Sequence, residues 1–249
     1  MDQKVKIVIL AAGKGTRMLS DEPKVLAQVN GTSMIKRLLA SVHASGIDDS
    51  PVIVVGYKKE LVIEELGDKY TYVDQDEQLG TGHAVNLTRE YLQDKASHVM
   101  VLYGDMPFIS AETIKKIVNK HIQSSKKITM ATVKLPDFKD WRINFVNFSR
   151  IIRNEKGNII KDIQFKDASN AEIKTTEVNP CFFCFDAKWL WKNLESLKND
   201  NTQKEYYLTD LIRTATSEGI EIESVDIEPH EALGANTKAE LNILERFAI

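Results

Sequence analysis

The sequence predicts an α/β domain built on a mixed, mainly parallel sheet with helices on both faces. Three observations predict it. Residues 5–10 (VKIVIL) form a short β-branched run broken by a single lysine, the pattern of a central strand covered on both faces. Apolar runs of that kind then alternate with helical stretches, which indicates βαβ units joined by right-handed crossovers. At 249 residues the chain is also long enough to bury a substantial core as one domain.

After the first strand, residues 33–43 (SMIKRLLASVH) place Met34, Leu38, Leu39 and Val42 at helical spacing, with Gly46 near the end. Residues 51–56 (PVIVVG) read as a second buried strand, 58–66 as a helix and 70–74 as a third strand. Residues 82–92 are helical again, 98–103 (HVMVLY) form a strand, 111–122 a helix and 128–133 a strand. The pattern changes after Leu135. Residues 138–148 are rich in aromatics, and 150–152 lead into 158–165 as a hairpin with its turn at Lys156-Gly157. A strand at 178–185, helices at 189–197 and 206–216, a strand at 220–227 and a helix at 237–247 complete the reading. The two halves, 1–135 and 136–249, run on without a linker, repeats or low-complexity tracts.

Composition excludes several classes. A net charge of −3 gives no bulk electrostatic case for nucleic acid or membrane binding. No apolar run approaches the ~20 residues needed to span a bilayer. The N-terminus enters a strand without the layout of a signal peptide, so a cytoplasmic setting is expected. Cys181 and Cys184 form one C-x-x-C, without the second pair or nearby histidines that a zinc site wants. In a strand, residues three apart point to opposite faces, so free thiols are expected rather than a disulfide.

The first strand empties into Ala11-Ala12-Gly13-Lys14-Gly15-Thr16-Arg17, where every residue is small, flexible or cationic. Two glycines let the backbone approach a ligand, and successive N–H groups can face an anion. Arg17 adds a fork for phosphate oxygens, and Lys24, just after Pro23, brings a further cation. This reads as a polyphosphate cradle, although an ordinary tight connection would use similar residues. It lacks the third glycine of a GxGxxG fingerprint and the Gly-Lys-Ser/Thr of a Walker A loop. Residues 75–84 (QDEQLGTGHA) offer an amide after a strand, suited to a base edge, or simply a polar loop before a helix. His83 there reads as a packing or hydrogen-bonding residue rather than a general base. Asp105 sits at a strand's end, where it could hold a hard cation or cap the next segment. Asn236 could cap a helix or supply an oxygen to the same ion.

The string L-A-A-G-x-G-T-R-M followed by P-K-V-L resembles the signature of sugar-1-phosphate nucleotidyltransferases. With Gln75, residues 77–84, Tyr103-Gly104-Asp105, Lys166-Asp167-Ala168, residues 205–210 and Gly234-x-Asn236, the chain resembles the N-terminal domain of bacterial N-acetylglucosamine-1-phosphate uridylyltransferases over nearly its whole length. The resemblance implies a Rossmann-like, GT-A-like nucleotidyltransferase fold, with residues 1–135 as the nucleotide-binding half and 136–249 as a sugar-side β lobe. It implies that Ala12, Gly13, Gln75, Gly80 and Thr81 hold the uridine. Leu10, Ala11, Gly15, Thr16, Gln78 and Gly104 belong to the same nucleotide site. Arg17 and Lys24 would be the catalytic phosphate-binding cations, and Asp105 with Asn236 would hold Mg2+. Ser149, Gln164, Glu177, Asn179 and Thr209 would line the sugar-phosphate side.

The departures from that family lie on the sugar side. Its Gly-Tyr-Gly-Arg becomes Asn147-Phe148-Ser149-Arg150, its Glu before Lys-Asp-Ala aligns with Gln164, and its Asn-Thr-Gly becomes Asn179-Pro180-Cys181. The β-helix acetyltransferase domain of bifunctional members has no counterpart in these residues, so no acetyl transfer is expected. The expected reaction is NTP plus sugar 1-phosphate to NDP-sugar plus pyrophosphate, with UTP and N-acetylglucosamine 1-phosphate the leading pair. A different hexosamine 1-phosphate, GTP in place of UTP, and a non-catalytic nucleotide-sugar-binding protein are the other readings.

Overall fold

The computed structural model describes residues 4–18, 21–201 and 203–248. In chain order its elements are β1 (Val5–Leu10), β2 (Gln28–Val29), β3 (Thr32–Ser33), α1 (Met34–Ser45), β4 (Val52–Val55), α2 (Lys59–Leu66) and β5 (Thr71–Asp74). Next come α3 (Thr81–Leu87), α4 (Arg89–Leu92), β6 (His98–Tyr103), α5 (Ala111–Ser124) and β7 (Ile128–Lys134). The second half adds β8 (Arg150–Arg153), β9 (Ile159–Ile163), β10 (Glu177–Val178), β11 (Phe183–Asp186), α6 (Ala187–Leu194), α7 (Asp210–Ser217), β12 (Glu223–Asp226) and α8 (Lys238–Phe247).

One sheet runs β5-β4-β1-β6-β11-β7-β10-β8-β9, with β12 on β7. It is parallel from β5 to β6, and again between β7 and β12. β11 enters antiparallel between β6 and β7, and β10, β8 and β9 extend the sheet antiparallel. Alternation along β1 shows why both faces had to be apolar. Ile7 and Ile9 join the layer of α1, α2, α5 and α8, whereas Val8 joins the layer of α3, α4, α6 and α7. The chain leaves β1 for β4 on one side and returns to β6 on the other. Ligand crevices in open α/β sheets form at such a switch, outside the carboxyl ends of the strands.

Three segments differ from the sequence expectation. The helix at 82–92 breaks at Thr88, whose buried hydroxyl and amide both turn back to the Val85 carbonyl (2.7 and 3.0 Å). The strand at 178–185 is two strands. Pro180 has no N–H to donate, Cys181 takes a left-handed φ of 63°, and its N–H turns to the Asn179 side chain (2.7 Å). The helix expected from residue 206 starts at Asp210, because residues 206–208 are tied to the loop before α3. Tyr206 N–H donates to Leu79 O (2.7 Å), Gly82 N–H to Tyr206 O (2.7 Å) and Leu208 N–H to the Thr81 hydroxyl (3.0 Å).

Away from the carboxyl ends, α5 carries the fully buried His121. Its Nδ1 pairs with the Thr129 hydroxyl (2.9 Å) and its Nε2 with His98 Nδ1 (3.1 Å). Burial first, and neighbouring His98 second, lower its pKa from 6.5 to about 4. Between those values the unfolded chain binds the proton that the native chain refuses, so native stability is complete above pH 6.5 and falls as pH drops toward 4. The expected loss is about 3 kcal/mol across that window. Denaturant unfolding of wild type and His121→Gln as a function of pH measures it. Equal slopes in the two proteins would remove His121 as the cause.

Candidate functional site

Two pockets adjoin at the carboxyl ends of β1 and β6. The larger, about 430 Å³, is walled by Leu10, Ala11, Ala12 and Gly13 after β1, by Arg17, Lys24 and Val25, and by Gln75, Gln78, Gly80 and Thr81 before α3. Ala84, Tyr103, Asp105, Glu205 and Asn236 close it. Most of the expected nucleotide, phosphate and metal residues are thus brought to one cleft from four separate stretches of chain.

Local backbone chemistry builds the cleft. Gly15 has φ 65°, and a Cβ there would lie 2.7 Å from Lys24 Cβ, so a glycine lets the loop pass over this lysine. Gly80 has φ 105° with the Tyr206 backbone 2.6 Å from the position of a Cβ. Neither Gly15 nor Gly104 is a wall of the cleft. Gly104 N–H donates to Leu10 O (2.9 Å) and holds the two strand ends together. The Thr16 side chain lies outside the described residues. Gln78 donates to Ala12 O (2.6 Å), clasping the glycine-rich loop. Buried Gln75 donates to Gly80 O (3.0 Å) and His83 Nδ1 (3.2 Å), so His83 is a hydrogen-bond partner of an expected base-binding amide. Lys14 leaves the cleft altogether, its ammonium 5.1 Å over the Tyr57 ring.

At the floor, the Lys24 ammonium forms an ion pair with Asp105 and donates to Asn236 Oδ1 (2.6 Å). Arg17 donates to the same amide oxygen (3.1 Å). A carboxylate and an amide oxygen therefore converge on one cation, which is the donor chemistry that a hard divalent ion accepts. No group of three His, Cys, Asp or Glu side chains capable of holding a metal exists among the described residues. Mg2+ normally takes one or two protein oxygens and completes its shell with phosphates and water, so Asp105 with Asn236 fits it.

The second pocket, about 170 Å³, is lined by Met106, Asn147, Phe148, Ser149, Gln164, Asn179 and Cys181. Tyr103 and Cys181, one from each pocket, bear on each other electrostatically, and burial raises the pKa of both. Both cysteines are free. Ser149, Gln164 and Asn179 are brought together as expected, and Gln164 reaches Thr209 across 3.5 Å. Glu177 lines neither pocket. Arg153 takes its two oxygens with Nε (2.9 Å) and Nη2 (2.6 Å) and adds a bond to the Ser224 hydroxyl (3.0 Å). That fork commits the carboxylate to joining β8, β10 and β12. Sequence reasoning passed over Tyr103 and Glu205 as cleft walls, although each belongs to a stretch it marked. It also passed over Asp162, behind Asn179, because a lone acid in a strand carries no motif.

The sequence matches the family model described as MobA-like NTP transferase domain over residues 7–214. It is 38% identical over 245 residues to a protein named bifunctional protein GlmU from Brevibacillus brevis, covering 98% of this chain and 51% of that one. A protein of the same name from Acetivibrio thermocellus is 40% identical over 237 residues (94% and 49%), and one from Desulfotalea psychrophila 38% over 242 (96% and 69%). The chain spans about half the length of the first two. Among solved structures, a Bacillus anthracis protein designated a glucose-1-phosphate thymidylyltransferase superposes with a TM-score of 0.77 at 19% identity, covering 98% of this chain and 95% of that one. A CMP:2-keto-3-deoxy-manno-octonic acid synthetase complexed with CTP gives 0.72 at 16%, covering 98% of each chain. At those identities the likeness is one of fold. No helix among the described residues is long and apolar enough to cross a membrane.

Proposed function

This chain belongs to the family of MobA-like NTP transferase domains, and on that premise we propose that it joins a nucleoside triphosphate to a sugar 1-phosphate, giving an NDP-sugar and pyrophosphate. The observation that carries the reading is the convergence of Arg17, Lys24, Asp105 and Asn236 at the floor of a cleft walled further by the glycine-rich loop and the amides of Gln75 and Gln78. An oxygen of the sugar phosphate attacks the α-phosphorus in line. The new P–O bond forms as the bond to the β-phosphate oxygen breaks, and the electron pair leaves with pyrophosphate. The protein contributes positioning and charge neutralisation. Arg17 presents its fork to the departing pyrophosphate, and Lys24 steadies the anionic α-phosphate and attacking group. Asp105 and Asn236 would hold Mg2+, which supplies further neutralisation of phosphate charge when bound. Gln75, Gln78, Gly80 and Thr81 face the base, and Ser149, Gln164 and Asn179 face the sugar.

UTP with N-acetylglucosamine 1-phosphate is the pair that the resemblance favours. Pyrophosphate release measured for four NTPs against a panel of sugar 1-phosphates tests it. The expected result is the highest kcat/KM for that pair. Tight nucleotide-sugar binding without turnover for any pair would turn the reading to a non-catalytic binding protein.

A further inference from the structure

Behind the wall of the second pocket stands a carboxylate that no motif announced. Asp162 lies on β9 opposite the buried Ile151 of β8. Its Oδ2 accepts from Asn179 Nδ2 (2.9 Å), whereas its Oδ1 is buried without a hydrogen-bond partner. Among the described residues no cation pairs with it. Every other group bearing on it is neutral or acidic: the Ser149 hydroxyl and Asn179 amide, which favour its ionised form, and the Asp210 carboxylate of α7, which opposes it. Tyr103 of β6 and Cys181 lie within its field, each with burial raising its pKa.

Part of the donor capacity of this wall is already engaged. Asn179 gives an amide N–H to Asp162, and its Oδ1 takes the Cys181 N–H. Gln164 gives one Nε2 N–H to the Thr209 hydroxyl (3.5 Å), and nearby Ser149 favours the ionised Asp162. The amide and hydroxyl oxygens of the wall stand beside a carboxylate whose Oδ1 has no partner of its own. The cations of the site, Lys24 and Arg17, sit in the other pocket.

We propose that Asp162 is a specificity-determining residue, supplying the counter-charge that lets the sugar side take a hexosamine 1-phosphate whose amine is free and protonated. The inference rests on the reading that the second pocket receives the sugar. Such a substrate is a zwitterion matched to the site, its phosphate toward Lys24 and Arg17 and its ammonium toward the Asp162 side of the second pocket. Burial raises the Asp162 pKa to about 6, so the carboxylate is charged at neutral pH and loses its charge just below.

The test is calorimetric binding of glucosamine 1-phosphate and N-acetylglucosamine 1-phosphate to wild type, Asp162→Asn and Asp162→Leu, alongside turnover of each sugar with UTP. Asparagine keeps the size and the bond to Asn179 but not the charge; leucine suits the apolar neighbours. Both variants are expected to weaken the free-amine sugar about tenfold relative to the acetylated one. In wild type the affinity for the free-amine sugar relative to the acetylated one should fall as pH drops through about 6. The Asp162→Asn variant measured over the same pH range supplies the baseline for phosphate ionisation, which differs between the two sugars. A binding ratio indifferent to both substitutions and to pH overturns the inference. Absence of turnover with either sugar would count against the proposed reaction instead, while the binding ratio still decides the role of Asp162.

Discussion

Asp105→Ala is expected to lower kcat roughly 10²- to 10³-fold or more while leaving the fold intact. The side chain is the one carboxylate among the cleft's phosphate-side residues, and it already attracts the Lys24 ammonium in the protein alone. Its backbone does separate work: Asp105 O accepts from Ala235 N–H (3.3 Å), and Met106 N–H donates to Tyr103 O (3.1 Å). These bonds survive truncation at Cβ, so the loop carrying Asn236 keeps its place and the melting temperature should move little. Asp105→Asn retains an oxygen but no charge and should fall between alanine and wild type. Excess EDTA should silence the wild type to the level of the alanine variant. A folded Asp105→Ala protein with near wild-type turnover at limiting Mg2+ would remove the metal assignment.

The nucleotide side was legible in the sequence because its parts are local. The strand at 5–10, the loop after it, the turn at 80–82 and Gly104-Asp105 each carry their signal within a few residues. The sheet order then only had to bring the strand ends together. The sugar side was less legible because its geometry depends on distant partners. Tyr206 reads as helical by pattern, yet its backbone is bound to Leu79 and Gly82. Glu177 looks like a pocket acid until Arg153, from a different strand, claims both oxygens. The break at Pro180-Cys181 had a visible cause in the proline, but the apolar run on either side outweighed it. Asp162 was invisible for the opposite reason. Its meaning comes from the partner its Oδ1 lacks, which no spacing can reveal.

Lys24→Met is expected to move metal binding and turnover in opposite directions. The Lys24 ammonium, paired with Asp105 and bonded to Asn236 Oδ1 (2.6 Å), occupies the position between the two oxygens assigned to the divalent ion. An arriving Mg2+ must displace it, and the displaced cation is then released toward the phosphates. Methionine has a similar length and no charge. It removes the competitor, and Arg17 still reaches Asn236 Oδ1 at 3.1 Å. Unit charges about 4 Å apart interact by about 4 kcal/mol at an effective dielectric of 20, more than enough to shift metal affinity about tenfold even after partial compensation by water. Mn2+ binding followed by electron paramagnetic resonance, without nucleotide, should therefore tighten about tenfold in Lys24→Met. Turnover should fall roughly 10²- to 10³-fold, because a positioned charge on the reacting phosphate is gone. A lysine that merely braced the cleft would lose both together: its removal would loosen Asp105 and Asn236 and weaken Mn2+. Weaker or unchanged Mn2+ binding in the folded variant would therefore mean that the ammonium does not stand in the ion's place.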